Sequence, residues 1–171
     1  MIKKVISVLL IMFLLTGCKT TEVTQRVFVK SIYADKSEDN FYLEILYDTG
    51  NGDEKIFSSN GKDFETAIIS AEKILGKDIF TDHCKIIFVG AGIKDVEAEL
   101  QYIPKSRGFS YETIICRCGY KNVLKAENLS SFPETIKNEK GETFGTLFYL
   151  FSGKDEEYPI ATLENGFIIL L

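Results

Sequence analysis

The sequence predicts an α/β fold in which a mixed β-sheet packs with about three helices. The first observation is the order of the segments, which run β-β-β-α-β-α-β-α, the third strand being a short edge strand. The second is the strand Lys85–Val89, a continuous apolar run typical of the middle of a sheet that is covered on both faces. Together these observations indicate an α/β sandwich.

The folded part of the chain begins with a predicted β-hairpin. Residues 25–34 and 41–47 are rich in strand-forming residues, and the polar stretch 35–40 between them is a turn signal. Residues 48–53 are predicted to form a second turn, because they lack the spacing and the final glutamate of a calcium-binding loop. Residues 54–59 then form the short edge strand.

The first helix is predicted over Phe64–Leu75, where apolar residues recur on one face. Either Asn60 or Asp63 can cap its start, and Gly76 is a natural C-cap. A second amphipathic helix is predicted over Ile93–Ile103. It is followed by a strand over 109–118 and a short helix over 120–128.

The sequence turns polar at 130–141, which is typical of a linker. Residues 143–151 are apolar and fit either a helix or a strand, and residues 160–171 are predicted to form a terminal strand. We therefore expect one domain over 25–129. Residues 130–171 are expected to be a linker and the truncated start of a second domain.

The N-terminus has the features of a lipoprotein signal peptide. Lys3 and Lys4 precede an apolar run that is too short to span a bilayer, and the run ends in Leu15-Thr16-Gly17-Cys18. This pattern predicts cleavage after residue 17 and acylation of Cys18. Residues 18–24 then form a tether that holds the protein on the outer face of a membrane.

The charge of the chain excludes some classes of partner. Without Lys3 and Lys4, the charged residues of the signal peptide, the net charge changes from −5 to −7. An acidic chain of this kind argues against nucleic-acid binding, and also against lying flat on anionic lipid. The lipid anchor, rather than surface charge, is therefore expected to hold the protein at the membrane.

The cysteines and the single histidine are the remaining candidates for chemistry. Cys84, Cys116 and Cys118 are expected to pack as small apolar side chains; one disulfide at most, or a zinc site with His83, are the alternatives. His83 and Cys84 are adjacent, so on a strand they point to opposite faces and make a poor dyad. We expect His83 to be a polar residue at the entry of a strand, hydrogen-bonded to the backbone of the preceding loop.

Several motifs occur in a fixed order along the chain. They are Leu15-Thr16-Gly17-Cys18, a hairpin with an acidic turn, Gly61 before a helix that starts Phe64-Glu65 and continues Ala67-Ile68, the strand DHCKIIFVG with His83, Lys85 and Gly90, and YETIICRCG followed by YKNVLKAE. In this order they resemble the N-terminal domain of the Ger(x)C lipoproteins, the C subunits of nutrient germinant receptors in endospore-forming bacteria. The resemblance covers about Cys18 to Leu129.

The resemblance implies a Ger(x)C N-terminal-domain-like fold in a protein with no catalytic residue, metal or cofactor. Such a protein acts by protein contact in spore germination, and its partners are the integral-membrane subunits of the receptor. The implied location is the outer face of the cell membrane, and in a protein of spore germination this membrane is the inner membrane of the spore. His83 occupies a position where the family often has histidine at the entry of a core strand.

The sequence also departs from the family pattern. Lys19-Thr20-Thr21-Glu22 stands where the family often shows Trp-Asp-x-x-Glu, and family members continue through further domains. Residues 143–171 resemble the beginning of the next domain, so a truncated form of the family is expected.

Two alternative functions stay open. A solute-binding or sensing lipoprotein needs a concave apolar pocket with convergent polar groups. An enzyme needs Cys116 or Cys118 as an exposed thiol whose pKa is lowered by a cation such as Arg117 or Lys121.

Overall fold

The main sheet has six strands, and two further strands form a separate hairpin. The computed structural model describes residues 26–38, 40–50, 52–100, 103, 108–152 and 158–171. The strands are β1 (Arg26–Ser37), β2 (Asn40–Asp48), β3 (Glu54–Gly61), β4 (Asp78–Phe80), β5 (Ile86–Val89), β6 (Ile114–Arg117), β7 (Ala161–Glu164) and β8 (Phe167–Leu170). The helices are α1 (Phe64–Leu75), α2 (Val96–Leu100), α3 (Phe132–Lys140) and α4 (Leu147–Ser152), with a 3₁₀ helix over Lys121–Lys125.

The sheet is mixed, as predicted. Its strand order is β3-β2-β1-β5-β6, and β4 pairs with the start of β1. The strands β1, β2 and β3 form an antiparallel meander, whereas β4 and β5 are parallel to β1, and β6 is parallel to β5. The long strand β1 therefore lies in the middle of the sheet, and β3 lies at one edge as expected.

Each face of the sheet carries its own hydrophobic cluster. On the first face, side chains of β1, β2 and β5 pack against α1, α2 and α4. On the second face, Tyr33, Phe88 and Cys116 pack against the 3₁₀ helix, α3 and the hairpin β7–β8. All four residues of β5 are buried and alternate between the two clusters, which explains the continuous apolar run and confirms the predicted sandwich.

Helix α1 begins and ends where the sequence predicts. Asp63 is the N-cap: its side chain accepts a hydrogen bond from the Thr66 backbone N–H, and the Thr66 side chain accepts one from the Asp63 N–H. Gly76 ends the helix with φ 63° and ψ 26°, the left-handed conformation that glycine adopts without steric cost.

Three predicted elements differ in extent. The second helix begins at Val96 and not at Ile93; it is described over Val96–Leu100 and at Ile103, and residues 101 and 102 lie outside the described residues. The strand predicted over 109–118 is only Ile114–Arg117, because the chain turns at 110–113, where the Thr113 N–H donates to the Ser110 carbonyl. The short helix predicted over 120–128 is a 3₁₀ helix.

The polar stretch 130–141 forms a helix and not an extended linker. Pro133 lies in the first turn of α3, where its fixed φ and missing N–H are tolerated. Phe132 and Ile136 are buried in the cluster on the second face, and the Phe132 ring stacks on Phe88 with the ring centroids 6.2 Å apart. The separate second domain predicted from residue 130 stays a prediction.

The terminal segment forms a hairpin where a single strand was predicted. Asn165 and Gly166 have φ values of 51° and 85°, and they turn the chain between β7 and β8. An Asn-Gly pair between apolar stretches is a strong hairpin signal, because both residues tolerate positive φ. Residues 143–151, which fitted either a helix or a strand, contain most of α4.

Candidate functional site

His83 and Cys84 lie in different environments. His83 is an exposed turn residue before β5, and the centroid of its ring is 5.9 Å from that of Phe28. Cys84 is buried in the cluster on the first face, where burial raises the pKa of its thiol to about 12. His83 and Cys84 therefore do not form a catalytic dyad, as predicted: the His83 side chain is exposed and the Cys84 thiol is buried.

Cys116 and Cys118 lie on the opposite face of the sheet from Cys84. Both belong to the cluster on the second face, and all three cysteines are free and buried. Burial raises the pKa of the Cys116 and Cys118 thiols. Among the residues that the structure describes, no three His, Cys, Asp or Glu side chains are grouped so that they could hold a metal ion.

The two cations predicted to activate a thiol are directed elsewhere. The Arg117 guanidinium donates hydrogen bonds to the carbonyls of Ile93 and Lys94, at 3.1 and 3.0 Å. The Lys121 ammonium lies 4.9 Å from the centroid of the Tyr42 ring. A nucleophilic thiol needs exposure and a lowered pKa, so the geometry around Cys116 and Cys118 does not support the enzymatic alternative.

An open groove of about 820 Å³ lies beside the covered part of the second face. The floor of the groove is formed by β1, β2 and β3 near Phe28, Leu46 and Ile56, and its wall is the connection from Leu124 to Pro133. The groove exists because the 3₁₀ helix and α3 cover the sheet around β5 and β6 and leave the paired ends of β2 and β3 open. Its volume is in the range of small-molecule sites.

A β-bulge at Lys30 shapes the floor of this groove. Val29 is opposite Tyr47 and Ser31 is opposite Leu46, so Lys30 is an extra residue in β1. As a result the consecutive residues Lys30 and Ser31 both line the groove. Sequence analysis missed this site, because a bulge changes the two-residue alternation without a distinct residue signal.

Lys30 is held by two carboxylates at the edge of the groove. Its ammonium nitrogen is 2.7 Å from Glu54 Oε1 and 3.5 Å from Asp48 Oδ2, and the hydrogen bond to Glu54 raises the pKa of Lys30. Asp48 in turn accepts hydrogen bonds from the backbone N–H groups of Gly50 and Gly52, at 2.7 and 3.3 Å. The bond from Gly50 is the main reason that the pKa of Asp48 is lowered.

A second surface is the outward face of the hairpin β7–β8, which we call the apolar hairpin face. Opposite residues of an antiparallel pair point to the same side, so Ala161 with Leu170 and Leu163 with Ile168 form the inner side. The outer side carries Thr162 and Glu164 together with four apolar residues, Ile160, Phe167, Ile169 and Leu171, which are 50, 45, 41 and 67% exposed. The hairpin therefore has apolar residues on both sides, and its outer side is uncovered by the described residues.

The body of the protein holds the hairpin at both ends. At the start of β7, Ile160 forms a β-bridge with Arg117, whose N–H donates to the Pro159 carbonyl. The Asn128 side chain donates to the Ile168 carbonyl and accepts from the Ile168 N–H, both at 2.8 Å. These two bonds reproduce the pairing of a neighbouring strand, and the Glu127 N–H adds a third bond, to the Gly166 carbonyl. The apolar hairpin face is thus presented on a fixed support.

The lipid-bearing residue of the prediction, Cys18, lies outside the described residues, together with the signal peptide 1–17 and the tether 18–24. Within the described ranges, no helix has the length and hydropathy needed to cross a bilayer. Comparisons of the chain with protein-family models, with curated proteins and with solved structures gave no significant match.

Proposed function

We propose that this chain is a membrane-anchored lipoprotein that acts by contact with another protein. The observation that carries the proposal is the apolar hairpin face, on which four large apolar side chains are exposed together. Contiguous exposed apolar surface of this kind marks contact sites in proteins. Because Asn128 holds the hairpin in place, little ordering of the backbone is needed when a partner binds.

The partner that we propose is an integral-membrane protein. Eight residue steps separate Cys18 from Arg26, where β1 begins, and a chain of that length extends at most about 29 Å. With an acylated Cys18, the folded domain stays close to the bilayer, and membrane proteins are its neighbours. The motifs that resemble the Ger(x)C family favour the integral-membrane subunits of a germinant receptor as this partner, with a role in spore germination on the outer face of the membrane.

The first test is a pull-down of the lipidated full chain from membranes of sporulating cells, followed by mass spectrometry. We expect multi-spanning receptor subunits to be recovered with the unmodified chain. The double variant Phe167→Ser, Ile169→Ser should reduce their recovery at least tenfold, because it removes two of the four exposed apolar side chains of the apolar hairpin face.

The matched control is Ile74→Ser, which removes an exposed apolar residue of α1, on the other layer of the fold. We expect this variant to retain the subunits. Equal recovery with the hairpin variant would overturn the proposed contact. Light scattering of the purified chain measures its oligomeric state. If the chain self-associates and the hairpin variant does not, a second copy of the chain occupies the apolar hairpin face.

The solute-binding alternative is favoured by one specific observation, the open groove of about 820 Å³ on the second face of the sheet. The groove and the apolar hairpin face have no lining residue in common. A ligand in the groove is therefore compatible with a protein contact at the hairpin.

A further inference from the structure

The groove combines an apolar floor with polar groups at defined positions. Phe28, Leu46 and Ile56 lie along the sheet side, and Leu124, Leu129 and Pro133 lie along the opposite wall. Two apolar walls of this kind fit a ligand whose body is apolar and narrow enough to lie between them.

One buried polar group opens onto this space. Ser31 is only 5% exposed, lines the groove, and makes no side-chain hydrogen bond with the described residues. Because Ser31 lines the open groove, its hydroxyl can form a hydrogen bond with water or with a ligand that lies there. The β-bulge at Lys30 is the reason that the Ser31 hydroxyl lies on the groove side of β1.

The charged groups around the groove fall into two sets. Lys30 is already paired with Glu54 and Asp48, and these three residues together carry a net charge of −1. Lys85 on the sheet side, and Lys125 and Glu127 on the wall, are exposed and form no ion pair with another described residue. Three lysines and three acids line the groove in all, although the whole chain has a net charge of −5.

We propose that the groove binds a short apolar peptide with free termini. The carboxylate of such a peptide pairs with Lys85 beside the exposed His83, its ammonium group pairs with Glu127, and its apolar side chains lie on the floor. A balanced lining selects a zwitterion, since a polyanion would meet the three acids and a plain hydrocarbon would leave the charged groups desolvated. This inference does not rest on the protein-contact function.

The test is calorimetric titration of the lipidated full chain in nanodiscs with trileucine as the probe. We expect saturable binding that weakens at least tenfold when the probe is N-acetyl-trileucine amide, which has the same apolar body and no charged termini. No saturable binding of trileucine, or equal affinity for the capped probe, would overturn the proposal.

Two substitutions assign the ends of the ligand. Lys85→Met and Glu127→Gln should each weaken trileucine binding about fivefold or more, and neither should change the affinity for the capped probe. Lys73→Met and Glu139→Gln are matched controls, because both residues are exposed on helices outside the groove. If both groove variants bind trileucine as the unmodified chain does, the assigned orientation is wrong and the groove does not recognise a zwitterion.

Discussion

At the scale of single residues, the carboxylate of Asp35 organises the end of β1. Its Oδ1 atom accepts hydrogen bonds from the Lys36 N–H at 2.8 Å and the Gly92 N–H at 2.9 Å, and its Oδ2 atom accepts one from the Tyr33 hydroxyl at 3.1 Å. The loop after β5 can approach this carboxylate only because it has no side chain at Gly90 and Gly92. A Cβ atom on Gly92 would overlap the Lys36 carbonyl oxygen, and one on Gly90 would overlap the Asp35 carboxylate.

We expect Gly92→Ala to lower the free energy of unfolding by about 1–3 kcal/mol, because the added methyl group overlaps the backbone and forces it to shift. The overlapping atom belongs to the backbone of Lys36, so relief requires a movement of the strand end rather than of a flexible side chain. Urea denaturation of the two chains measures the difference. Gly119→Ala is the control, because a Cβ there has no neighbour within 4 Å and should change stability by less than about 0.5 kcal/mol. Equal effects of the two substitutions would contradict this role for Gly92.

The sequence predicted the environment of the buried thiols correctly, but not the contact of the exposed His83. The thiols were expected to pack as small apolar groups, and the structure buries all three. His83 was expected to hydrogen-bond with the preceding loop, whereas the contact that the structure shows for its ring is with Phe28. The residue type predicts well whether a side chain is buried. It predicts the partner of an exposed side chain less well, because no core fixes the conformation of an exposed side chain.

At the scale of elements, the start of α1 is fixed by one reciprocal pair. Asp63 and Thr66 satisfy each other's backbone N–H groups. Burial of the Asp63 carboxyl opposes ionisation, but the hydrogen bonds from Thr66 outweigh it and hold the pKa of Asp63 below its ordinary value. The ionised carboxylate is therefore the form that caps the helix.

Asp63→Ala should cost about 1 kcal/mol of stability at neutral pH. The cap contributes fully above the ordinary Asp pKa of about 3.9, and its contribution is lost as the pH falls through the lower pKa of the folded state. The difference between the two chains should thus shrink in thermal melts below that pH. Asn60→Ala, at the other capping position that the sequence allows, should have little effect. A larger loss for Asn60→Ala would show that the cap is assigned to the wrong residue.

Elements with a regular period were predictable from sequence, and elements defined by contacts were not. The meander β1–β3, helix α1 and strand β5 follow from alternation, helical spacing and a continuous apolar run. Helix α3 was not predicted, since only Phe132, Pro133 and Ile136 of its nine residues are buried and the rest has the composition of a linker. The hairpin β7–β8 did carry a signal, Asn165-Gly166, but its strands are short and apolar residues lie on both of their sides.

At the scale of the whole molecule, the second half of the chain completes the cover of the sheet. The ring of Phe132 in α3 stacks on Phe88 in β5, and Ala161 and Ile168 of the hairpin enter the same cluster. A domain that ended near residue 129 would leave this part of the second face open to water. The predicted division of the chain at that point can be tested through the cooperativity of unfolding.

We expect Phe132→Ala to destabilise the whole protein by about 3–5 kcal/mol, because the buried ring leaves a cavity. The signals from the sheet and from residues 130–171 should move together in urea, as in a single cooperative transition. Phe148→Ala removes the same ring from an exposed position of α4, 56% accessible, and should cost far less. If Phe132→Ala shifted only a separate transition of residues 130–171, the predicted second domain would gain support.

The position of β1 has a mechanical consequence for the proposed anchoring of the chain at Cys18. Arg26 is the first residue of this strand and pairs with Asp78 of β4, and from Phe28 onward β1 is also paired with β2 on its other side. A force applied along the chain at its N-terminus would therefore act along β1. It would shear the hydrogen bonds to β4 and to β2 together, whereas an edge strand would lose its bonds one at a time. With the proposed anchor, a pull from the membrane would enter the fold through a strand that is paired on both sides.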